Sequence, residues 1–279
     1  MMEIENIIVF ADTHSGCQMS LCPDHSIRLD GGGHYIPNKM QKKLWGYWKE
    51  FWDEWVPEKC KGKKFVVVIN GDIIDGRHHG ATTQISQNLA DQCRIATEIV
   101  EYAIDRKNFG GLYWIRGTEA HVGQAGEDEE RLAEYFKAVP NDLGRHARSE
   151  MWMRVKRKHL VHFSHHIGSS GSLHYESTAI MKELSDAYVE AARWGNEPPD
   201  VLCRSHRHRN IEIRIETKKG LATAFTTAGW QLKAPWLYRI AGARQNLPQI
   251  GGSLIIAGDE DIYTKHWIRA IGRSPEIRV

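Results

Sequence analysis

The chain has 279 residues, 41% of them hydrophobic and 26% charged, with a formal net charge of +2. That length buries a substantial core and fits one domain over 1–279, in a composition ordinary for a soluble globular protein, and a near-neutral charge argues neither for nor against a nucleic-acid partner. Five cysteines without a CxxC pair point to a reduced, cytoplasmic protein rather than a disulfide scaffold, the acidic start Met1-Met2-Glu3-Ile4-Glu5 is not a signal peptide, and no apolar run approaches the ~20 residues of a membrane span.

In chain order, short apolar runs each lead directly into a polar cluster. The run 7–11 leads into Asp12-Thr13-His14. A helix is expected over about 39–55, where Trp45, Trp48, Trp52 and Trp55 form one stripe that reads as core packing. The preceding Gly31-Gly32-Gly33 lacks the GxxxxGK context of a nucleotide loop. The run 65–69 leads into Asn70-Gly71-Asp72-Ile73-Ile74-Asp75-Gly76, and a second helix is expected over 84–107. Next, 112–115 leads into Arg116-Gly117-Thr118-Glu119-Ala120-His121, ahead of a helix over 127–138. The stretch holding Arg145, Arg148, Arg154, Lys156, Arg157 and Lys158 reads as a solvated hairpin or strand edge, or as a phosphate-backbone contact surface. The run 160–163 leads into Ser164-His165-His166, and Ile180, Leu184, Ala187, Tyr188 and Ala191 mark a helix over 176–194. Finally 201–203 leads into Arg204-Ser205-His206-Arg207-His208.

Runs of this length and β-branched content read as buried strands. Strands alternating with helices predict an α/β sheet, with ligands gathering beyond the carboxyl ends of its strands. Beyond Gly195 the pattern alternates, over 211–215 and in parts of 221–240 and 252–268, which predicts antiparallel strands in a second sheet packed on the first.

Fifteen histidines make imidazole placement informative. Five clusters of Asp, Glu or His at strand ends bring together ionisable groups whose burial is costly without compensation, and two divalent cations would supply it. Imidazole plus carboxylate without thiolate selects Mn, Zn, Fe, Ni or Co. If the first strand continues, Asp12 and His14 project to one side and chelate one ion. Asp72 is placed to bridge two ions, and His206 and His208 to serve them separately, so that a water between them becomes the nucleophile.

Asp12-x-His14, Gly71-Asp72-x-x-Asp75, Gly117-x-x-x-His121, the histidine after 160–163 and His206-x-His208 resemble, in order, the motifs of the calcineurin-like metallophosphoesterases. The resemblance covers about 12–208, and Thr226-Thr227-Ala228-Gly229-Trp230-Gln231-Leu232 is similar to members carried by phages and prophages. It implies two packed mixed β-sheets flanked by helices, two divalent transition-metal ions with Mn foremost, and hydrolysis of a phosphate ester, a phosphodiester and possible nucleic-acid substrate (DNA or RNA) being favoured. It places the first ion on Asp12, His14, Asp72 and His208, and the second on Asp72, His165 and His206 plus a ligand from the third motif.

That motif departs from the usual Gly-Asn-His: Thr118 or Glu119 would replace the asparagine, with His121 as the leaving-group acid or itself a ligand. His166 is the alternative to His165. Asp75 would orient a ligand histidine, and Arg77, His78, His79 and Arg207 would face the substrate. Gly76 stands where the Ser/Thr protein phosphatases carry arginine, which counts against a protein phosphatase. A phosphomonoesterase and a non-catalytic metal-binding scaffold are the alternatives to a diesterase.

Overall fold

The computed structural model describes residues 4–78, 80–168, 172–239, 246–272 and 276–278. Its strands are β1 (Asn6–Phe10), β2 (Ile27–Arg28), β3 (His34–Tyr35), β4 (Phe65–Asn70), β5 (Phe109–Ile115), β6 (Ala147–Arg148), β7 (Glu150–Val155), β8 (His159–Ser164), β9 (Val201–Arg204), β10 (Ile211–Thr217), β11 (Gly220–Thr226), β12 (Gln249–Ala257) and β13 (Ile262–Ala270). The α-helices are α1 (Lys39–Lys49), α2 (Val56–Cys60), α3 (Leu89–Ile104), α4 (Glu119–Val122), α5 (Glu127–Tyr135) and α6 (Thr178–Trp194).

One sheet runs β13-β12-β1-β4-β5-β6 and the other β10-β11-β9-β8-β7, with β2 and β3 forming a separate pair. In the first sheet β1, β4, β5 and β6 are mutually parallel. In the second, β9 lies parallel to both β8 and β11.

Pleating sorts each buried run between two layers. Ile7 and Val9 of β1 join Val66, Val68, Val161, Phe163, Cys203 and Phe225 in a core between the sheets. Their neighbours Ile8 and Phe10 face the opposite way, against Trp48, Trp52, Ile95 and Ile99 of the helical layer. On the far face of the second sheet, Leu202, Ala222 and Ala224 pack on Ile180 and Leu184 of α6. Burial on both faces explains why the strands appear in sequence as unbroken apolar runs rather than as alternation.

The tryptophan stripe is core: Trp48 and Trp52 are fully buried and pack edge-on against Phe10. Between α1 and α2 the helix widens into a π-turn at Glu50–Trp55. Pro57 has no N–H to give to the residue four back, and its ring would clash with that carbonyl, so a wider turn relieves the conflict.

The second sheet differs from the sequence expectation in its membership. The antiparallel hairpin β12–β13 returns to the first sheet, where β12 pairs with β1, while β7 and β8 from 150–164 build the second. Periodicity reports which faces are buried, not which strand lies alongside. In the basic stretch, Arg154, Lys156 and Lys158 of the β7–β8 hairpin pair with Glu197, Asp259 and Glu260, so the hairpin reading holds for them. No helix among the described residues is long and apolar enough to cross a membrane.

Candidate metal centre

Because β1, β4 and β5 are parallel, their carboxyl ends share one edge of the first sheet, and those of β8 and β9 share one edge of the second. The two edges meet. Asn70 at the end of β4 donates through Nδ2 to the Ser164 carbonyl at 3.1 Å and to Ser205 Oγ at 2.6 Å, and the Ser205 amide donates to the His165 carbonyl at 2.9 Å. Five strand tips thereby converge, carrying Asp12 and His14, Asp72, Thr118, His165, and His206 and His208.

The ligand-bearing turns are tight. Asp12 (φ 55°), His14 (42°), Asp72 (54°), His206 (71°) and His208 (51°) all have left-handed backbone. This conformation costs a non-glycine residue about 1–2 kcal/mol and persists where surrounding structure imposes it. Here the loop after β1 is zipped to the loop after β4, with amide-to-carbonyl bonds from Asp12 to Gly71 (2.9 Å), His14 to Asp72 (3.1 Å) and Ser15 to Ile73 (2.9 Å). The expected strand continuation through Asp12 and His14 is therefore corrected: β1 stops at Phe10, and the turn brings the two side chains together.

Among the described residues four sets of side chains bring ligand atoms within 4.8 Å of one another: Asp12, His14 and His208; Asp12, Asp72 and His165; His165, His166 and His206; and His14, Asp75 and His121. Asp12 Oδ1 lies 3.4 Å from His208 Nε2 and 3.9 Å from both His14 Nε2 and His165 Nε2. It is buried without a hydrogen-bond partner, and a buried carboxylate oxygen without a partner is costly. The His14 and His208 Nε2 atoms are 3.1 Å apart. His165 Nε2 lies 3.0 Å from Asp72 Oδ2, while its Nδ1 donates to the Asn70 carbonyl at 2.7 Å and fixes the ring. Asp12 is common to the first two sets, and Asp72, which the sequence reading gave the bridging place, belongs to the second of them.

Electrostatics favour positive charge here. Burial raises the carboxyls of Asp12 and Asp72, but the imidazoles of His208 and His165 outweigh it and hold both below their ordinary values. Burial opposes protonation of His165, yet Asp72 and then Asp12 raise it to about 10. His121 and His206 fall to about 4 through burial and the neighbouring His14 and His165. Two buried carboxylates among imidazoles are a donor set of hard and borderline atoms, which fits first-row divalent ions.

In the third motif Thr118 and His121 both lie at the cluster, His121 in a set with His14 and Asp75 and Thr118 beside Asp72. Thr118 Oγ1 lies 3.1 Å from Asp72 Oδ2, 3.2 Å from His206 Nδ1 and 3.4 Å from His165 Nε2, and the Thr118 amide donates to Asp72 Oδ1 at 2.6 Å. Glu119, the expected ligand, is exposed on the first turn of α4 and belongs to none of the clustered sets among the described residues. His121 on α4 is half-buried, its ring centroid 4.5 Å from that of His14 and its Nδ1 2.7 Å from the Asp75 carbonyl oxygen. Asp75 Oδ1 lies 3.5 Å from His14 Nδ1 and 3.4 Å from His78 Nε2.

Arg77 is exposed, with Nε donating to the Gln87 carbonyl. Arg207 donates to the carbonyls of Glu176 and Gly168. His166 is exposed and lies beside His165 and His206, so both members of that histidine pair border the cluster. His79 lies outside the described residues.

Sequence reasoning missed Asn70 and Glu129. Glu129 is fully buried, with Oε1 accepting from the Ile73 amide at 2.9 Å and Oε2 from the Gly117 amide at 2.7 Å. Within Glu127-Asp128-Glu129-Glu130 nothing local distinguishes it from its neighbours.

No protein-family model and no curated relative matches the sequence. Among solved structures the chain is similar to the NAD nucleotidase NadN of Haemophilus influenzae, at 13% identity and a TM-score of 0.41 over 95% of this chain and 49% of that one. It is also similar to Vacuolar Protein Sorting 29 of Cryptosporidium parvum, at 9% identity and a TM-score of 0.33 over 96% of this chain and 98% of that one. The chain thus spans about half the length of the nucleotidase.

Proposed function

We propose that this chain is a dinuclear metal-dependent phosphoesterase of the calcineurin-like type, built as one domain and acting on phosphodiesters. The observation that carries the reading is the convergence of Asp12, His14, Asp72, Thr118, His165, His206 and His208 from five strand tips around the unpartnered Asp12 Oδ1. The order of the motifs along the chain supports the same reading.

Asp12, His14 and His208 would hold one cation, and Asp72, Thr118, His165 and His206 the other, with Asp12 between the sets. When bound, two divalent cations supply Lewis acidity toward phosphoryl oxygens and ionise water near neutral pH. The protein's part is to fix this geometry. Asn70 orients His165, and Asp75 orients His14 through Nδ1. His121 gives Nδ1–H to the Asp75 carbonyl, so its other nitrogen, Nε2, is the one that exchanges a proton with the leaving group.

Gly76 argues against a protein phosphatase. A Cβ at this position would lie 2.1 Å from the His121 carbonyl oxygen, so the arginine that the Ser/Thr phosphatases carry there has no room.

The test is turnover of bis(p-nitrophenyl) phosphate against p-nitrophenyl phosphate with Mn²⁺, Zn²⁺, Ni²⁺ or Mg²⁺, with metal counted per chain. Two bound cations and faster cleavage of the diester are expected. Preference for the monoester would reverse the substrate assignment. Two cations without turnover of either ester would make the chain a metal-binding scaffold.

A further inference from the structure

We propose that Glu129 is the positioning residue that holds the second cation's ligands together, an inference that rests on the dinuclear reading above. Its carboxylate is the clamp between two loops. Oε1 accepts from the amide of Ile73, the residue after Asp72, and Oε2 from the amide of Gly117, the residue before Thr118. Among the described residues neither amide has another acceptor in the loops it belongs to.

The loops are in contact where Glu129 joins them. A Cβ on Gly117 would fall 2.1 Å from Asp72 Oδ1 and 2.2 Å from the Asp72 nitrogen. Thr118 then binds both oxygens of Asp72 through its amide and its hydroxyl. Displacing either loop breaks this pair, and with it the set formed by Asp72, Thr118, His165 and His206. The turns bearing Asp12 and His14 also bond to the 71–73 loop, but they and the turn bearing His208 have further anchors that do not pass through Glu129, from the Trp230 amide to the Asp12 carbonyl and from the Gln249 amide to the His208 carbonyl.

Only a group with two acceptor oxygens satisfies two converging N–H donors. A glutamine offers one oxygen and turns an NH₂ toward the other amide. Burying a carboxyl completely is also costly in itself, and burial together with the Asp72 charge raises this one to about 7. The two amide bonds from Ile73 and Gly117 oppose that rise, which ties the carboxylate to the two loops rather than to helix packing.

The experiment is calorimetric titration of Mn²⁺ into metal-free wild type and Glu129→Gln, with electron paramagnetic resonance read for the exchange-coupled Mn pair. In Glu129→Gln the first Mn²⁺ should bind as in wild type and the second about tenfold or more weakly, with loss of the coupled signal at stoichiometric metal. Equal binding at both sites, or equal weakening of both, overturns the role of Glu129. A wild type that binds fewer than two Mn²⁺ overturns the dinuclear reading and this role with it. Should Glu129→Gln not fold, Glu129→Asp, with both oxygens on a stem one methylene shorter, is expected to weaken the second site selectively, and unselective loss is again the contrary result.

Discussion

On the proposed dinuclear reading, Thr118 would offer the second cation a neutral alcohol where the motif it resembles has a carboxamide. A hydroxyl is the weaker donor, so the second cation should bind less tightly than the first. Thr118→Ala should lower the metal count toward one per chain, Thr118→Asn should tighten the second site, and Glu119→Ala, which removes an exposed side chain, should change neither. Elemental analysis at limiting Mn²⁺ distinguishes these outcomes. A second metal lost in Glu119→Ala but retained in Thr118→Ala would reverse the assignment. At this scale the histidines and aspartates were legible in sequence because each closes an apolar run. Thr118 was legible only as one candidate beside Glu119 and His121, and Glu129 not at all, since a buried acid in an acidic helix start carries no local mark.

Among the elements, α4 is a single turn whose backbone nests against the loop after β4. Gly76 makes this possible, with φ of 69° and no room for a Cβ beside the His121 carbonyl. Gly76→Ala should cost about 1–2 kcal/mol for the left-handed backbone and more for the clash, lowering the melting temperature by several degrees. It should also displace His121, so poor leaving groups should slow more than nitrophenyl esters. Unchanged melting and an unchanged leaving-group dependence would show that α4 yields without consequence. Buried strands and the long helices were readable from apolar period and length. The short α4 and the π-turn before Pro57 were not, because both arise from contacts and backbone conflicts rather than from periodicity.

For the whole molecule, the two sheets contribute opposite sides of one cluster. Asp12, His14, Asp72 and Thr118 come from the first, and His165, His206 and His208 from the second. A cation held by these side chains would fasten one sheet to the other beside the Asn70 bonds that already span them. Chelation should lower the thermal midpoint and Mn²⁺ should restore it in a concentration-dependent way, by about 2.7 kcal/mol when free metal is a hundredfold above its Kd. Scanning calorimetry with and without chelator reads this directly, and an invariant midpoint would deny the link. Which strands share a sheet was not legible in sequence, as the return of β12 and β13 to β1 illustrates.

The left-handed backbone at Asp12, His14, Asp72, His206 and His208 sets foldability against metal capture at the same five positions. Glycine at any of them would relax the main chain and delete a donor in one step. A lineage of this protein kept for robustness but released from its chemistry would drift toward glycine there first, and the centre would erode before the sandwich around it did.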